Sequence, residues 1–207
     1  MEYLVKMTTR VPAGTSDAAV DDMRVREARR AAELARAGHL LRLWRPPLLP
    51  GQWQSLGLFS APDDSSLEQV LASMPLRLWR VDEPLRLSPH PNDSAASAAD
   101  PGGPAATEFL ITMTVTIPPG TPQRALDDIL GREAQRAREL AGQGHLRRLW
   151  ALQAEPGTQR ALGLWRAAGA TEMADIVDRL PLRAWMTVET VPLTPHPNDP
   201  TDNRAGR

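Results

Sequence analysis

The chain has 207 residues, no cysteine and a formal net charge of −1. The absence of cysteine excludes disulfides, thiolate catalysis and cysteine-ligated metals, and the balanced charge argues against nucleic acid as a partner. No apolar run approaches the roughly 18 residues of a membrane span, and the N-terminus has a strand pattern rather than that of a signal peptide. We therefore expect a cytoplasmic protein without membrane contact.

The sequence contains an internal repeat. Residues 2–93 align with residues 108–199 without a gap, and roughly 41 of about 92 aligned positions are identical. We predict two domains, residues 1–93 and 108–199, joined by a linker at 94–107 that is rich in Ala, Gly, Pro and Ser. A disordered tail is expected at 200–207. Each domain is too small to bury a large core alone, so the two are expected to pair.

The first predicted strand, residues 2–11, alternates between apolar and more polar side chains, and the second copy keeps the pattern. A turn and a long helix that ends before a glycine follow in both copies. The apolar face of this helix carries one acidic residue, Glu27 in the first copy and Glu133 in the second. Because a carboxylate on the core side costs free energy unless it is paired or faces a cavity, these glutamates are the leading functional candidates.

A second strand, residues 39–45, contains a histidine, an arginine and a tryptophan that recur in the second copy. Histidine titrates near neutral pH, arginine can neutralise a substrate carboxylate, and aromatic walls are usual in small-molecule pockets. Each also has a structural interpretation, as a corner, solvated or core residue. The candidate pocket residues are His39, Arg42 and Trp44, with His145, Arg148 and Trp150 in the second copy.

A third strand at residues 52–60 has a central glycine, which indicates a bulge or a close approach to the backbone. A short helix at 65–74 and a fourth strand at 75–87 complete the copy. These strands contribute the candidate pocket residues Trp53, Ser55 and Trp79, with Trp185 in the second copy. A Pro-His-Pro-Asn-Asp motif ends each copy, at 89–93 and 195–199, and no other residue stands at metal-ligand spacing from it, so no metal is expected.

The element order in each copy, strand, helix, strand, strand, helix, strand, is that of ferredoxin-like folds. We therefore predict an α+β protein with two tandem ferredoxin-like βαββαβ domains. Each antiparallel sheet has helices on one face, and pairing of the two sheets covers the other. The predicted architecture is an intrachain pseudo-dimeric α+β barrel.

Each copy resembles the muconolactone isomerase family through the order and spacing of several short motifs. In the first copy these are Val5, Lys6, Met7, Thr8, Glu27, Gly38, Leu43, Trp44, Arg45, Pro75, Leu76, His90 and Pro91. In the second copy they are Met113, Thr114, Glu133, Gly144, Leu149, Trp150, Pro181, Leu182, His196 and Pro197. The resemblance covers nearly the whole chain apart from the linker and the tail.

This resemblance implies a ferredoxin-like fold and dimers that assemble into rings. It also implies an isomerase without metal or cofactor that shifts a double bond in an unsaturated lactone by proton transfer. Glu27 and Glu133 would be the general acid–base groups, with pKa values raised by apolar surroundings. Lys6, His39 or Arg42 would donate hydrogen bonds to the dienolate. The expected partner is a lactone or enone, and the expected assembly is a homo-oligomer, such as a ring of pseudo-dimers.

The chain departs from the family pattern on the third strand, where Ser55 and Ala161 stand in place of an asparagine, and Thr112 replaces Lys6 in the second copy. The first copy keeps more of the polar residues, so its site is favoured. Three hypotheses stay open: a cofactor-free lactone isomerase, a related isomerase or cyclase acting on a larger polyketide-like substrate, and a non-catalytic binding or assembly protein. A different cofactor-free chemistry on the same fold, such as oxygenation, is a fourth.

Overall fold

The structure is a computed structural model of the chain, and it describes residues 1–93 and 106–201. The chain divides into two compact units. The first unit consists of Met1–Leu87 together with Thr194–Arg207, and the second is Ser88–Leu193. Each unit therefore contains the body of one repeat and the end of the other.

Two sequence predictions concern segments that lie almost wholly outside the described residues. These are the linker at 94–107 and the disordered tail at 200–207. In the two described ranges, no helix is long and apolar enough to cross a membrane. The predicted cytoplasmic location stays a prediction.

The first unit has two helices and a short 3-10 turn, Pro75–Trp79, that precedes its last strand. The helices are α1 (Asp17–Arg36) and α2 (Asp64–Ala72), and the strands are β1 (Glu2–Thr9), β2 (Leu40–Arg45), β3 (Gln54–Ser60) and β4 (Arg80–Pro89). The prediction that the fourth strand begins at residue 75 is wrong. Pro75 has a fixed φ that suits a helical turn and no N–H for a sheet ladder, so the strand begins only at Arg80.

The second unit repeats this order of elements. Its helices are α3 (Gln123–Gly142) and α4 (Ala170–Asp178), and its strands are β5 (Thr107–Thr116), β6 (Leu146–Leu152), β7 (Thr158–Ala167) and β8 (Met186–Pro195). A 3-10 turn, Arg183–Trp185, again comes before the last strand. The predicted βαββαβ order is thus present in both copies.

All strand pairs are antiparallel. In the first unit β1 lies between β3 and β4, and in the second unit β5 lies between β7 and β8. Ser88 and Pro89 at the end of β4 pair with β6, and Thr194 and Pro195 at the end of β8 pair with β2. The hydrogen-bonded order of strands is β4-β1-β3-β2 in the first unit and β8-β5-β7-β6 in the second. The predicted fold class, α+β with tandem ferredoxin-like domains, is confirmed.

The core of each unit lies between the sheet and its helices. Helix α1 turns one face inward because its buried residues recur every three or four positions. The buried residues of this face are Met23, Glu27, Ala31 and Leu34. Alternate residues of β1 meet this face, since successive side chains of a strand point to opposite sides. Glu27 is therefore the one carboxylate on the buried face of α1, as the helical periodicity predicted.

A glycine at the centre of β3 and of β7 makes room for a large aromatic ring. A side chain at Gly163 would overlap the indole of Trp165, and one at Gly57 would overlap the ring of Phe59. The predicted close approach at these glycines is confirmed. The register shifts of the sheets lie elsewhere, on β2 and β6.

We predict that Gly163→Ala lowers the free energy of unfolding by about 1–3 kcal/mol, because the added methyl group displaces a buried indole. Gly131→Ala is the matched control, since Gly131 lies inside α3 with open space where the methyl group would be. This variant should gain about 0.5–1 kcal/mol from helix propensity. Urea unfolding of both variants measures the difference, and equal effects at the two positions would contradict the close-packing argument.

Candidate functional site

The first unit encloses a cavity of about 890 Å³ between α1 and the sheet. Its walls come from α1, from β1, β2, β3 and the start of β4, from the 3-10 turn and from the loop that leads into β3. The C-terminal residues His196, Pro197 and Asn198 complete the lining. This volume lies in the usual range of small-molecule sites.

Glu27 lies in this cavity and is held by two hydrogen bonds. Its Oε2 accepts from the backbone N–H of Leu76 at 2.9 Å, and its Oε1 accepts from Arg80 Nη1 at 2.9 Å. Burial raises the pKa of Glu27 above its usual value, while the Leu76 N–H and the Arg80 guanidinium oppose the rise. The carboxylate is therefore the partner of a buried cation and not a free base.

Arg80 connects Glu27 to a buried ion network. Its guanidinium also binds both carboxylate oxygens of Asp82, and Asp82 accepts from Arg77 Nη1 at 2.7 Å. The side chains of Arg80 and Asp82 are only 3% and 1% exposed. Such a network is costly to break, because removal of one member leaves an uncompensated buried charge.

The outer part of the cavity carries an aromatic ring, two arginines and a histidine. The guanidinium of Arg24 lies over the ring of Trp53, 4.9 Å from its centroid, which is a cation–π distance. Arg45 and His196 also line the cavity. Burial, with help from the charge of Arg45, lowers the pKa of His196 to about 4. The imidazole is therefore neutral at physiological pH.

The second unit has an inner chamber of about 100 Å³ at the equivalent place, lined by Glu133. Oε2 of Glu133 accepts from the backbone N–H of Leu182 at 3.0 Å, as Glu27 does from Leu76. Met186 and Val188 stand where the first unit has Arg80 and Asp82. Burial therefore raises the pKa of Glu133 with only the Leu182 N–H to oppose it.

A wider depression of about 490 Å³ lies beside this chamber in the second unit. The chamber and the depression share His90, Leu130 and Gln159 in their linings. Chamber and depression together occupy the position that the single large cavity has in the first unit.

The structure brings only some of the sequence-predicted residues into the cavities. Glu27, Trp53 and Ser55 line the first cavity, and Glu133 lines the chamber of the second unit. The other predicted pocket residues are absent from the linings described for these cavities. They are Lys6, His39, Arg42, Trp44, Trp79, His145, Arg148, Trp150 and Trp185.

Several of these residues have structural partners instead. Lys6 forms an ion pair with Glu83 at 2.8 Å. Arg42 binds the fully buried Asp199 and lies over the ring of Trp44. Arg148, Asp93 and Trp150 repeat this arrangement in the second unit.

The predicted second strand began at His39, but His39 and His145 directly precede β2 and β6, and both contact backbone carbonyls. Nδ1 of His39 lies 3.2 Å from the oxygen of Ser60, and Nδ1 of His145 lies 2.9 Å from the oxygen of Arg166. Both histidines thus occupy helix-to-strand corners, the structural interpretation that the sequence left open for them.

Sequence reasoning missed the cationic lining of the first cavity, which consists of Arg24, Arg45 and Arg80. Alignment of the two copies reveals this difference in charge, because the second copy has the uncharged residues Leu130, Ala151 and Met186 at the corresponding positions. It also missed that His196 belongs to the first cavity and His90 to the second, since strand exchange is not visible in a single sequence. The described residues contain no cluster of three or more potential metal ligands.

The fold and the cavities define a protein of tandem ferredoxin-like α+β units with a cavity between helix and sheet in each. The sequence profile of muconolactone delta-isomerase matches residues 1–93 and 107–199. The chain therefore belongs to the muconolactone delta-isomerase family, as the resemblance predicted. The muconolactone delta-isomerase of Rhodococcus opacus is 28% identical over 91 residues, which cover 44% of this chain and 95% of that protein.

Solved structures match nearly the whole chain. A heme-binding protein from Thermus thermophilus has a TM-score of 0.55 at 13% identity, covering 99% of this chain and 95% of that one. A mutant chlorite dismutase from Candidatus Nitrospira defluvii has a TM-score of 0.59 at 10% identity, covering 94% and 92%. At these identities the matches establish the shared fold.

The predicted function, a cofactor-independent lactone isomerase with a helix-borne glutamate as acid–base, is contradicted. The solved structures that span both units are named for chlorite dismutation and heme binding rather than for isomerisation. In the first unit, which the sequence favoured, Glu27 is neutralised by Arg80. Family membership does not by itself assign the isomerase reaction to this chain.

We predict opposite stability effects for Glu133→Gln and Glu27→Gln. Burial raises the folded pKa of Glu133 above its unfolded value. Its stabilising contribution is therefore full below the unfolded pKa and is lost as the pH rises through the folded pKa. Glu133→Gln removes this loss, so the variant should gain stability relative to wild type as the pH rises from the unfolded pKa of a glutamate through the raised folded pKa of Glu133.

Glu27→Gln is the matched variant in the first unit. It removes the charge-assisted hydrogen bond to Arg80 and should lower the free energy of unfolding by about 1.5–3 kcal/mol at neutral pH. Thermal unfolding of both variants across the pH range measures these effects. A stability change of the same sign for the two variants at neutral pH would contradict the assignment of one glutamate bound to a buried arginine and one bound only to a backbone N–H.

Proposed function

We propose that the cavity of the first unit binds a flat organic molecule that carries carboxylate groups, a ligand class that includes heme. The observation that carries this proposal is the combination of a cavity of about 890 Å³ with the Arg24–Trp53 stack and Arg45 in its lining. A ring system can pack against an indole, and a guanidinium fits a carboxylate with two parallel hydrogen bonds.

His196 contributes a hydrogen-bond donor to this site. Its Nδ1 accepts from the backbone N–H of Asn198 at 3.1 Å. Because the ring is neutral, the proton is then on Nε2. His196 can therefore donate from Nε2 to a carboxylate or carbonyl oxygen of the ligand.

The similarity to a heme-binding protein makes heme the first ligand to test. The arginines of the cavity suit the carboxylates of heme, and the volume of the cavity suits its ring. The histidine does not suit its iron, because a ligating imidazole usually donates its other N–H to an acceptor. In His196 that nitrogen accepts from Asn198 instead. We therefore derive no iron chemistry for this site and assign the binding to the ring and the carboxylates.

Hemin and metal-free protoporphyrin IX provide a direct test. Both should quench the protein's tryptophan fluorescence with dissociation constants within about threefold of each other, because the proposal includes no bond to iron. Arg45→Ala should weaken both about two- to fivefold, as expected for the loss of one exposed charge partner. Trp53→Gln, which introduces the residue that the second unit has at this place, should weaken both further.

Variants of the second unit are the controls. Gln159→Ala and His90→Ala change the positions that correspond to Trp53 and His196 and should leave the binding constants unchanged. Binding of hemin alone, with a ligated-histidine absorption spectrum that His196→Ala abolishes, would show that iron ligation dominates and would contradict the proposal. Binding of neither ligand to folded protein would also contradict it.

A further inference from the structure

Three large apolar side chains are exposed at the mouth of the cavity in the first unit. Val25 on α1 and Leu48 on the loop that leads into β3 both line the cavity and are 63% and 37% exposed. Leu49 follows on the same loop and is 69% exposed. A single exposed leucine is ordinary on a protein surface, but a group of three beside one cavity needs an explanation. We call Val25, Leu48 and Leu49 the apolar rim.

The loop that leads into β3 has a defined shape. The backbone N–H of Gln52 donates to the carbonyl oxygen of Leu49 at 3.0 Å, and Oε1 of Gln52 accepts from the backbone N–H of Leu49 at 3.0 Å. Pro46, Pro47 and Pro50 restrict φ at three further positions of the loop. Because the loop is ordered in advance, a ligand that packs against it loses little free energy to the ordering of the chain.

The second unit does not have this rim. Gly131, Ala154 and Glu155 stand at the three corresponding positions. The second unit also has an inner chamber of about 100 Å³ where the first unit has its large cavity. The apolar rim and the large cavity therefore occur together in one copy of the repeat, which indicates that they serve the same ligand.

The apolar rim is too small for a protein partner. A stable protein interface takes about 800 Å² from each partner, which three side chains do not provide. The positions next to Val25 on α1 are charged, since Arg24 and Arg26 form ion pairs with Asp21 and Asp22. The apolar surface therefore ends at charged residues on this side, and its extent suits one part of a ligand that already occupies the cavity.

The ring of the proposed ligand would lie beside the apolar rim. Trp53, against which this ring packs, follows Leu48 and Leu49 in the same loop, and Arg24, which lies over Trp53, directly precedes Val25. We propose that the ligand of the first unit is amphiphilic and carries an apolar arm of several carbon atoms that leaves the cavity and packs on the apolar rim. This inference rests on the binding function proposed for the cavity and narrows its ligand class.

The test uses the full chain and a series of 6-alkoxy-2-naphthoates, which are flat, fluorescent carboxylates. The alkoxy chain is lengthened from methoxy to octyloxy, and dissociation constants are measured from the ligand fluorescence. Each added methylene should tighten binding about twofold. This gain corresponds to roughly half the free energy of a fully buried methylene, because the rim leaves one side of the chain in water.

Variants of the rim show where the chain binds. Leu48→Ala and Leu49→Gln remove apolar surface without adding charge. Each should lower the ratio of the methoxy to the octyloxy dissociation constant about three- to tenfold. Leu78→Ala is the matched control, because Leu78 is 82% exposed and lies outside the lining described for the cavity. This variant should leave both dissociation constants unchanged.

The outcomes separate this inference from the proposed function. Binding of the methoxy compound without any gain along the series would overturn the apolar arm and leave the function proposed for the cavity intact. Binding of no member of the series to the folded protein would overturn both. An equal gain in wild type and in both rim variants would show that the chain binds elsewhere. Sedimentation of the ligand-free protein completes the test, since self-association that Leu49→Gln abolishes would show that a second copy covers the rim. Either of these last two results would overturn the proposal.

Discussion

A buried glutamate on the first helix of each unit binds the backbone N–H at the start of the 3-10 turn, and the walls of both cavities depend on this hydrogen bond. Glu27 holds Leu76 and Glu133 holds Leu182. The bond fixes the helix against the segment that leads into the last strand, so the space between helix and sheet remains open at a defined width. The carboxylate that first suggested catalysis therefore links the helix to the 3-10 turn in both units.

The two units differ in how they balance the charge of this carboxylate. In the first unit Arg80 and Asp82 extend the tie into a buried ion network, and further cations line a large cavity. In the second unit Met186 and Val188 occupy these positions, and burial favours the protonated form of the glutamate. One duplicated framework thus provides a large cavity with a cationic lining and a smaller chamber lined mostly by apolar residues.

Much of the fold was predictable from the sequence. Hydrophobic periodicity is visible within a short segment, and an internal repeat is visible when the sequence is aligned with itself. The helical face with Glu27, the order of elements along the chain and the crowded glycines of β3 and β7 all followed from such patterns. The 3-10 turn at Pro75 did not, because proline is compatible both with an edge strand and with a helical turn. The partners of Arg42 and Glu27 lie 157 and 53 positions away along the chain, and no local pattern reports contacts at that separation.

The exchange of strand ends between the repeats has an evolutionary consequence. The histidine of the first cavity, His196, is encoded by the second repeat, and that of the second chamber, His90, by the first. In a homodimer of a single-repeat chain, any substitution would enter both sites at once. After fusion of the gene copies the two sites can differ in sequence, because a substitution at position 80 need not be accompanied by one at position 186. The duplicated gene could therefore specialise one cavity while the other kept its earlier character.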